Sequence, residues 1–556
     1  MRPVVLLPRP NRYDLLAGLV AVALLGGFLL ASREAVGPYR PVPISIDPVH
    51  LPEYTLRTAF RMELGLLLST LFALGYAPLA AKTRLEPFLV ALLDLLQSVP
   101  VLGFVAASLG ALSTLFPGKA LGYELASVFA VFTSQAWNMA FSFYQSLKTL
   151  PRELDEAARL YHLRPLQRFL RLELPFALPG LVWNAMLSMS GGWFFVVASE
   201  AISVGKTEVD LPGVGSYLAR ALAEENLRAM AYAILAMLLT LLLYDQLLFR
   251  PLVAWSERFK YEERPGEYPA KSWVLDLLRR TRAAKRLGEG VWEALLERAL
   301  AWKGPQGVGG LRALSWTPPV FLGLLGVLGL WSLARLLLPL GVGEWLRALG
   351  LGFLTFLRVM GILLLATLLW VPVGVLLGLR PALAVRVQAL IQFLAAFPAN
   401  LFYPFAAYLL LRYGLSLEVF SAFLMVLGTQ WYLLFNVAAG AMALPGDLLE
   451  AAKAYGLKGS LLWRRLLLPG VFPFLVTGLV TASGNAWNTS IVAEVLRWGP
   501  TRLEATGLGA YITRATEAGD EGRLLLGILV MSLWVLTVNR LLWRRLYRLA
   551  EERFRL

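Results

Sequence analysis

Residues 150–175 read LPRELDEAARLYHLRPLQRFLRLELP, and residues 444–469 read LPGDLLEAAKAYGLKGSLLWRRLLLP. Glu156-Ala157-Ala158 of the first stretch returns as Glu450-Ala451-Ala452, an offset of 294 positions. The same offset carries Leu174-Pro175 onto Leu468-Pro469, Pro179 onto Pro473, Trp193 onto Trp487 and Glu200 onto Glu494. It also carries Gly213 and Gly215 onto Gly507 and Gly509, and Tyr217 onto Tyr511. Register kept from 156 to 217 is the mark of an internal duplication. Upstream the offset drifts to 297 for Arg61 against Arg358 and 298 for Pro100 against Pro398, the small insertions that loops tolerate.

The sequence around the repeat is apolar. Of 556 residues 58% are hydrophobic and 16% charged, with a mean hydropathy of +0.62; soluble domains carry about 25% charged residues. That balance excludes a soluble enzyme. Runs such as Leu15–Ala31, Leu64–Ala81 and Val320–Leu340 approach or reach the roughly 20 residues a helix needs to cross a bilayer. The pattern predicts spans near 15–31, 56–81, 86–116, 121–147, 176–202 and 228–250, then 318–340, 350–379, 382–411, 416–443, 470–498 and 523–543. The expected fold is an all-α polytopic membrane protein of about twelve transmembrane helices, arranged as two parallel six-span repeats. A basic stretch precedes Leu15–Ala31, as in a signal peptide, but the run is longer than such segments and has a counterpart near residue 320; it is read as a span.

Fifty-two Lys and Arg against 37 Asp and Glu give a net charge of +15. The cations lie mainly between apolar runs, so the charge reports topology and not a nucleic-acid partner. With Arg2, Arg9, Arg12, Lys82, Arg84 and the arginines of 148–175 on one side, the positive-inside bias places both termini in the cytoplasm. Six spans per copy put the junction on that side too. The units are then 1–254, a cytoplasmic linker 255–316, and 317–556. The linker's mixed charges, with Trp273, Leu277 and Leu278, suit either a tether lying on the anionic leaflet or a regulatory docking element. With no cysteine and only His50 and His162, the sequence offers no metal site and no catalytic set.

The segments 148–175 and 444–469 are too long for minimal connections, so each is expected to fold into a short helix. Pro151 and Pro445 suit a first helical position, Glu153, Asp155 and Asp447 put carboxylates at the positive end of the helix dipole, and Gly456 suits a left-handed cap. The pairs Ala157-Ala158 and Ala451-Ala452 leave one face with little side chain, a knob that can seat in a partner's groove beside Glu156 or Glu450.

The pattern Glu-Ala-Ala, three residues, Gly, nine residues, then hydrophobic-x-Leu-Pro resembles the cytoplasmic signature of binding-protein-dependent ABC importer permeases. The second copy fits with Glu450-Ala451-Ala452, Gly456, Leu466 and Leu468-Pro469. The first keeps Leu172 and Leu174-Pro175 but has His162 in place of the glycine, at a cost of about 1 kcal/mol if the residue must be left-handed. The resemblance implies the type I importer permease fold and two coupling helices, each docking one of two cytoplasmic ATP-binding cassette subunits. It also implies an extracytoplasmic solute-binding protein, a place in the cell membrane (inner or plasma), and no cofactor of its own, since ATP is bound by the partner subunits. Gly205-Lys206-Thr207 imitates the end of a phosphate-binding loop, but Glu200 stands where that loop needs glycine.

Gly213-Val214-Gly215-Ser216-Tyr217 and Gly507-Leu508-Gly509-Ala510-Tyr511 look like the nitrate, sulfonate, taurine and bicarbonate branch of the importers, which implies a small anion as solute. These glycines also have a plain reading as turn positions of positive φ. Ser190, Trp193, Asn485, Trp487 and Asn488 are candidates for the central pathway, as polar or bulky groups in mid-helix. Glu200 and Glu494 either line the pathway, where they would oppose an anion, or pair near the outer surface; Arg61 and Arg358 are counter-charges or snorkel outward. The rival architecture is a secondary active transporter with two six-span repeats, whose signature loop would lie between spans two and three of each half, where this chain has only Lys82, Thr83 and Arg84. An intramembrane enzyme would need repeated acids, and Asp94 has no acidic counterpart.

Overall fold

The computed structural model describes residues 43–101, 115–204, 207–259, 272–281 and 333–553, with positions 108, 112 and 331. The expected span at 15–31, most of that at 318–340, most of the linker and Gly205-Lys206 lie outside these residues. The first half runs α1 (Leu51–Lys82), α2 (Glu86–Ser98), α3 (Ala120–Lys148), α4 (Arg152–Leu160) and α5 (Leu174–Glu200). The hairpin β1 (Ala201–Val204) and β2 (Thr207–Asp210) follows, then α6 (Val214–Ala223), α7 (Leu227–Tyr244) and α8 (Arg250–Ser256). From the linker comes α9 (Trp273–Arg280). The second half has α10 (Val342–Gly378), α11 (Pro381–Ala396), α12 (Tyr403–Tyr413), α13 (Leu417–Leu427), α14 (Gln430–Met442), α15 (Gly446–Ala454) and α16 (Leu468–Ala493). It closes with β3 (Val495–Trp498), β4 (Thr501–Glu504), α17 (Leu508–Ala518), α18 (Glu521–Val538) and α19 (Arg544–Arg553).

Element borders repeat at the offset read from the sequence: α4 and α15, α5 and α16, both hairpins, α6 and α17, and α7 and α18 all start 294 residues apart. Even the wide π-turns recur, at Phe169–Glu173 and Trp463–Leu467. Each is followed two residues on by a proline. Pro175 and Pro469 lack an N–H and crowd the carbonyl four residues back, and the wide turn takes up that misfit before the helix resumes.

Among the described residues six helical stretches are long and apolar enough to cross a membrane: Pro48–Lys82, Pro165–Glu200, Leu227–Phe259, Val342–Gly378, Gly459–Ala493 and Glu521–Ala550. A seventh is formed if α13 and α14, bent by 45°, are one span. The chain is an all-α polytopic membrane protein. Several expected spans need correction. Those at 86–116 and 382–411 break at Val99-Pro100 and Phe397-Pro398, because a residue before proline is driven to extended backbone, here ψ 132° and 128°. Those at 176–202 and 470–498 stop at the hairpins, which pair Ala201 with Asp210 and Val495 with Glu504.

Small residues set the packing within each half, as expected where lipid removes the hydrophobic drive between helices. Gly65 of α1 lies against Val131 of α3, and Gly374 of α10 against Val437 of α14. The halves meet along α5 and its neighbours, where the Ser190 and Tyr432 hydroxyls lie 2.6 Å apart. Val101 N donates to Asn488 at 2.7 Å and Asn400 Nδ2 to the Phe194 carbonyl at 3.2 Å.

Candidate functional site

Both α4 and α15 lie at the end of the bundle opposite the hairpins, each following a proline N-cap, Pro151 or Pro445. Their C-termini close in the same way. Tyr161, His162 and Leu163 donate their N–H groups to Ala157, Arg159 and Ala158 at 3.0, 2.9 and 3.1 Å, and Tyr455, Gly456 and Leu457 to Ala451, Lys453 and Ala452 at 2.9, 3.0 and 2.9 Å. This is the double hydrogen-bonded stop that needs a left-handed residue. His162 has φ 50° and Gly456 φ 68°, so the histidine takes the glycine's conformation despite its Cβ.

Only half of the expected knob faces outward. Ala158 and Ala452 are both 5% exposed and turn into the bundle, so the small side chain lets the helix approach its own chain. Glu156, Glu450 and His162 are exposed, and Ala157 and Ala451 are half-buried. Beside them project Tyr161 and Tyr455, 81% and 85% exposed, two aromatic rings that the sequence reading passed over although they obey the 294 offset. Of the closing Leu-Pro pairs, Leu174 and Leu468 begin the long helices; Leu174 packs beside Phe143 and Ala177, whereas Leu468 is exposed.

At the hairpin end each half carries a buried clamp. Glu200, 0% exposed, accepts from Arg61 Nη1 at 2.7 Å and from Gly215 N at 2.7 Å. Arg61 also pairs with Glu124 at 2.6 Å and donates to the Pro212 carbonyl at 3.0 Å. In the second half Glu494, 0% exposed, accepts from Arg358 at 3.0 Å, Thr355 at 2.8 Å and Ala510 N at 3.1 Å. Arg358 pairs with Glu418 and donates to the Thr506 carbonyl at 3.0 Å. Glu200 and Glu494 are paired within the clamps and are not among the residues lining the cavity between the halves. They anchor the hairpins to α1 and α10, and Arg61 and Arg358 are their counter-charges. The glycines serve this clamp too: Gly213 and Gly507 are extended, φ −177° and −164°, and a Cβ on either would overlap the carboxylate. That corrects the reading of positive φ. Tyr217 below the clamp donates to the Ile46 carbonyl at 2.8 Å, and burial pushes its phenol up to about 12, so it stays a donor.

Between the halves lies a cavity of about 400 Å³. Ser190, Trp193, Asn485 and Asn488 line it, with Trp137, Trp183, Trp431, Tyr432, Asn184 and Asn436. Trp487 does not; it is 1% exposed and packs in the core of the second half. Among the described lining residues Asp245 is the one charged group, and Arg250 pairs with it at 2.8 Å. The surface thus sets amide, hydroxyl and indole groups among apolar side chains such as Met186, Leu187, Phe393 and Phe435, with Trp137 Nε1 buried and carrying no hydrogen bond. Such a lining can pass a partly hydrated solute between neutral donors and acceptors. Among the described residues no group of His, Asp and Glu is placed to hold a metal ion.

The chain matches the family model described as binding-protein-dependent transport system inner membrane component over residues 65–249 and again over 327–555. It is 30% identical over 139 residues to a protein named as an ABC transporter permease in Methanocaldococcus jannaschii, covering 25% of this chain and 51% of that one. It is 25% identical over 184 residues to the nitrate import permease NrtB of Leptolyngbya laminosa, covering 32% and 60%. With the bicarbonate transport system permease CmpB of Synechocystis sp. it shares 26% over 176 residues, again 32% and 60%. The matches thus span half to three fifths of the length of these relatives. Two family matches that take in more than half the chain, one on each copy of the repeat, settle the assignment: this protein belongs to the binding-protein-dependent transport system inner membrane components, the permeases of ABC importers.

Proposed function

We propose that this single chain supplies both membrane halves of an importer, with 1–254 and 317–556 as the two permease units and 255–316 as a cytoplasmic tether. In this reading α4 and α15 face the cytoplasm, each docks one ATP-binding cassette subunit, and both termini lie on that side of the cell membrane. A solute-binding protein outside the cell delivers its cargo at the hairpin end. Closure of the two ATPases pulls on α4 and α15 and rocks the halves, so that the cavity around Trp193 and Asn485 is offered to alternate sides. The hydrolysis of ATP belongs to the partners.

The observation that carries this reading is the pair of equivalent exposed helices, capped alike and 294 residues apart, at one end of the bundle. The solute we assign to the anion class, such as nitrate, a sulfonate or bicarbonate. The names of two relatives support it, and so does the charge of the cavity: Glu200 and Glu494 pair away from it, and the one carboxylate that lines it, Asp245, is countered by Arg250.

The test is uptake into proteoliposomes holding the chain, its cognate ATPase and its binding protein. Glu450→Lys combined with Gly456→Trp should abolish solute-stimulated ATP hydrolysis and uptake while the chain still folds. Unchanged uptake, or uptake driven by an ion gradient with no ATPase present, overturns the proposal.

A further inference from the structure

At the α4 and α15 end the two halves are held by different chemistry. In the first half Glu173, 2% exposed, closes the π-turn before α5 and takes Lys82 at 2.5 Å and Arg168 at 2.9 Å. Arg168 reaches on to Asp155 of α4 at 2.5 Å, and Asp155 also holds Arg159 at 2.8 Å. An unbroken chain of charges therefore runs from the end of α1, through the entry to α5, to the exposed helix. Moved by 294 positions, Asp155, Arg168 and Glu173 become Leu449, Leu462 and Leu467. Leu467, also 2% exposed, packs with Val371, Val375 and Val471, and Leu449 and Leu462 lie against the same cluster.

The second half demonstrates that a helix of this kind sits in place on apolar contacts where the first half uses ion pairs. A buried carboxylate is costly to desolvate and stabilises little beyond what apolar packing of the same volume would. What ion pairs add is register. Apolar contacts are non-directional and survive a small slide of one helix over another, whereas a carboxylate shared between two cations binds in one arrangement.

We propose that Glu173 is a positioning residue of the first docking helix: through Arg168 and Asp155 it locks α4 to the end of α1, so that the two move as one body, while α15 slides on leucine contacts against α10. The two ATPase subunits would then drive unequal strokes, the first transmitted directly to a span and the second through a slipping contact. The inference rests on the docking role proposed above.

The test uses the reconstituted importer and reads solute taken up per ATP hydrolysed. The triple variant Asp155→Leu, Arg168→Leu, Glu173→Leu installs the second half's own residues and should melt and assemble like the parent, yet lose about fivefold or more of uptake per ATP. Glu173→Asp, which keeps the charge, should retain most of the coupling. Parental coupling in the triple variant, with Glu450→Lys, Gly456→Trp uncoupled in parallel, overturns the role of Glu173 alone. Parental coupling in both overturns the docking reading with it. A Glu173→Asp variant as poorly coupled as the triple also contradicts the proposal, because charge would then not be what matters.

Discussion

The hairpin end of this molecule and the end that carries α4 and α15 have kept different amounts of their common ancestry. At the hairpin end Arg61, Glu124 and Glu200 answer to Arg358, Glu418 and Glu494, partner for partner. At the α4 and α15 end Asp155, Arg168 and Glu173, together with Lys82, form an ionic set in one half, and Leu449, Leu462 and Leu467 take the places of the first three in the other. The difference teaches where charge is indispensable. Each outer carboxylate receives backbone N–H groups from the turn after its hairpin, Gly215 or Ala510, so it shapes a loop that no apolar side chain could satisfy. The set around Glu173 only joins helices, and for stability, though not for register, leucines join them as well.

The comparison is broken or sharpened most strongly at the clamps. Arg61→Leu and Arg358→Leu each leave a fully buried glutamate without its cation, at a cost of about 3–5 kcal/mol. Arg61 is 1% exposed against 13% for Arg358, so Arg61→Leu should give the larger fall in melting temperature of the detergent-solubilised chain. The reverse order would contradict the ranking by burial. Next in size is the pair Lys82→Met, Arg168→Leu, which strands Glu173 in an apolar setting and should cost about 3 kcal/mol by the same measurement. Adding Glu173→Leu to that pair should recover most of the loss, and a further fall would contradict the view that leucines serve there equally well. The smallest effect concerns the caps. His162→Gly should stabilise the first half by about 1 kcal/mol and Gly456→His should destabilise the second by about as much, since each exchanges a left-handed glycine for a side chain or the reverse. Limited proteolysis of the two segments reads this out locally.

Much of this was legible from the residues. The 294 offset located the segments that fold into α4 and α15, and the alignment of His162 with Gly456 pointed to one backbone conformation. The hairpins were not legible, because Ala201–Val204 and Val495–Trp498 continue apolar runs and nothing in their composition separates a strand from the last turn of a span. Nor was the choice for Glu200 between lining and pairing. It depends on Arg61, 139 positions away, and on Glu124, which the reading never singled out although it obeys the offset to Glu418. Glu173 escaped notice for a related reason: against Leu467 it is a mismatch, and a repeat draws the eye to what agrees.

The central claim is that the chain presents two equivalent handles to two cytoplasmic ATPases. The sequence has no cysteine, so Tyr161→Cys and Tyr455→Cys create single reactive thiols on α4 and α15's exposed caps. In inside-out membrane vesicles each variant should cross-link to an ATPase subunit, and the double variant should capture two subunits on one chain. Labelling of either thiol by an impermeant reagent from outside the cell, or capture at only one of the two positions, would contradict the account.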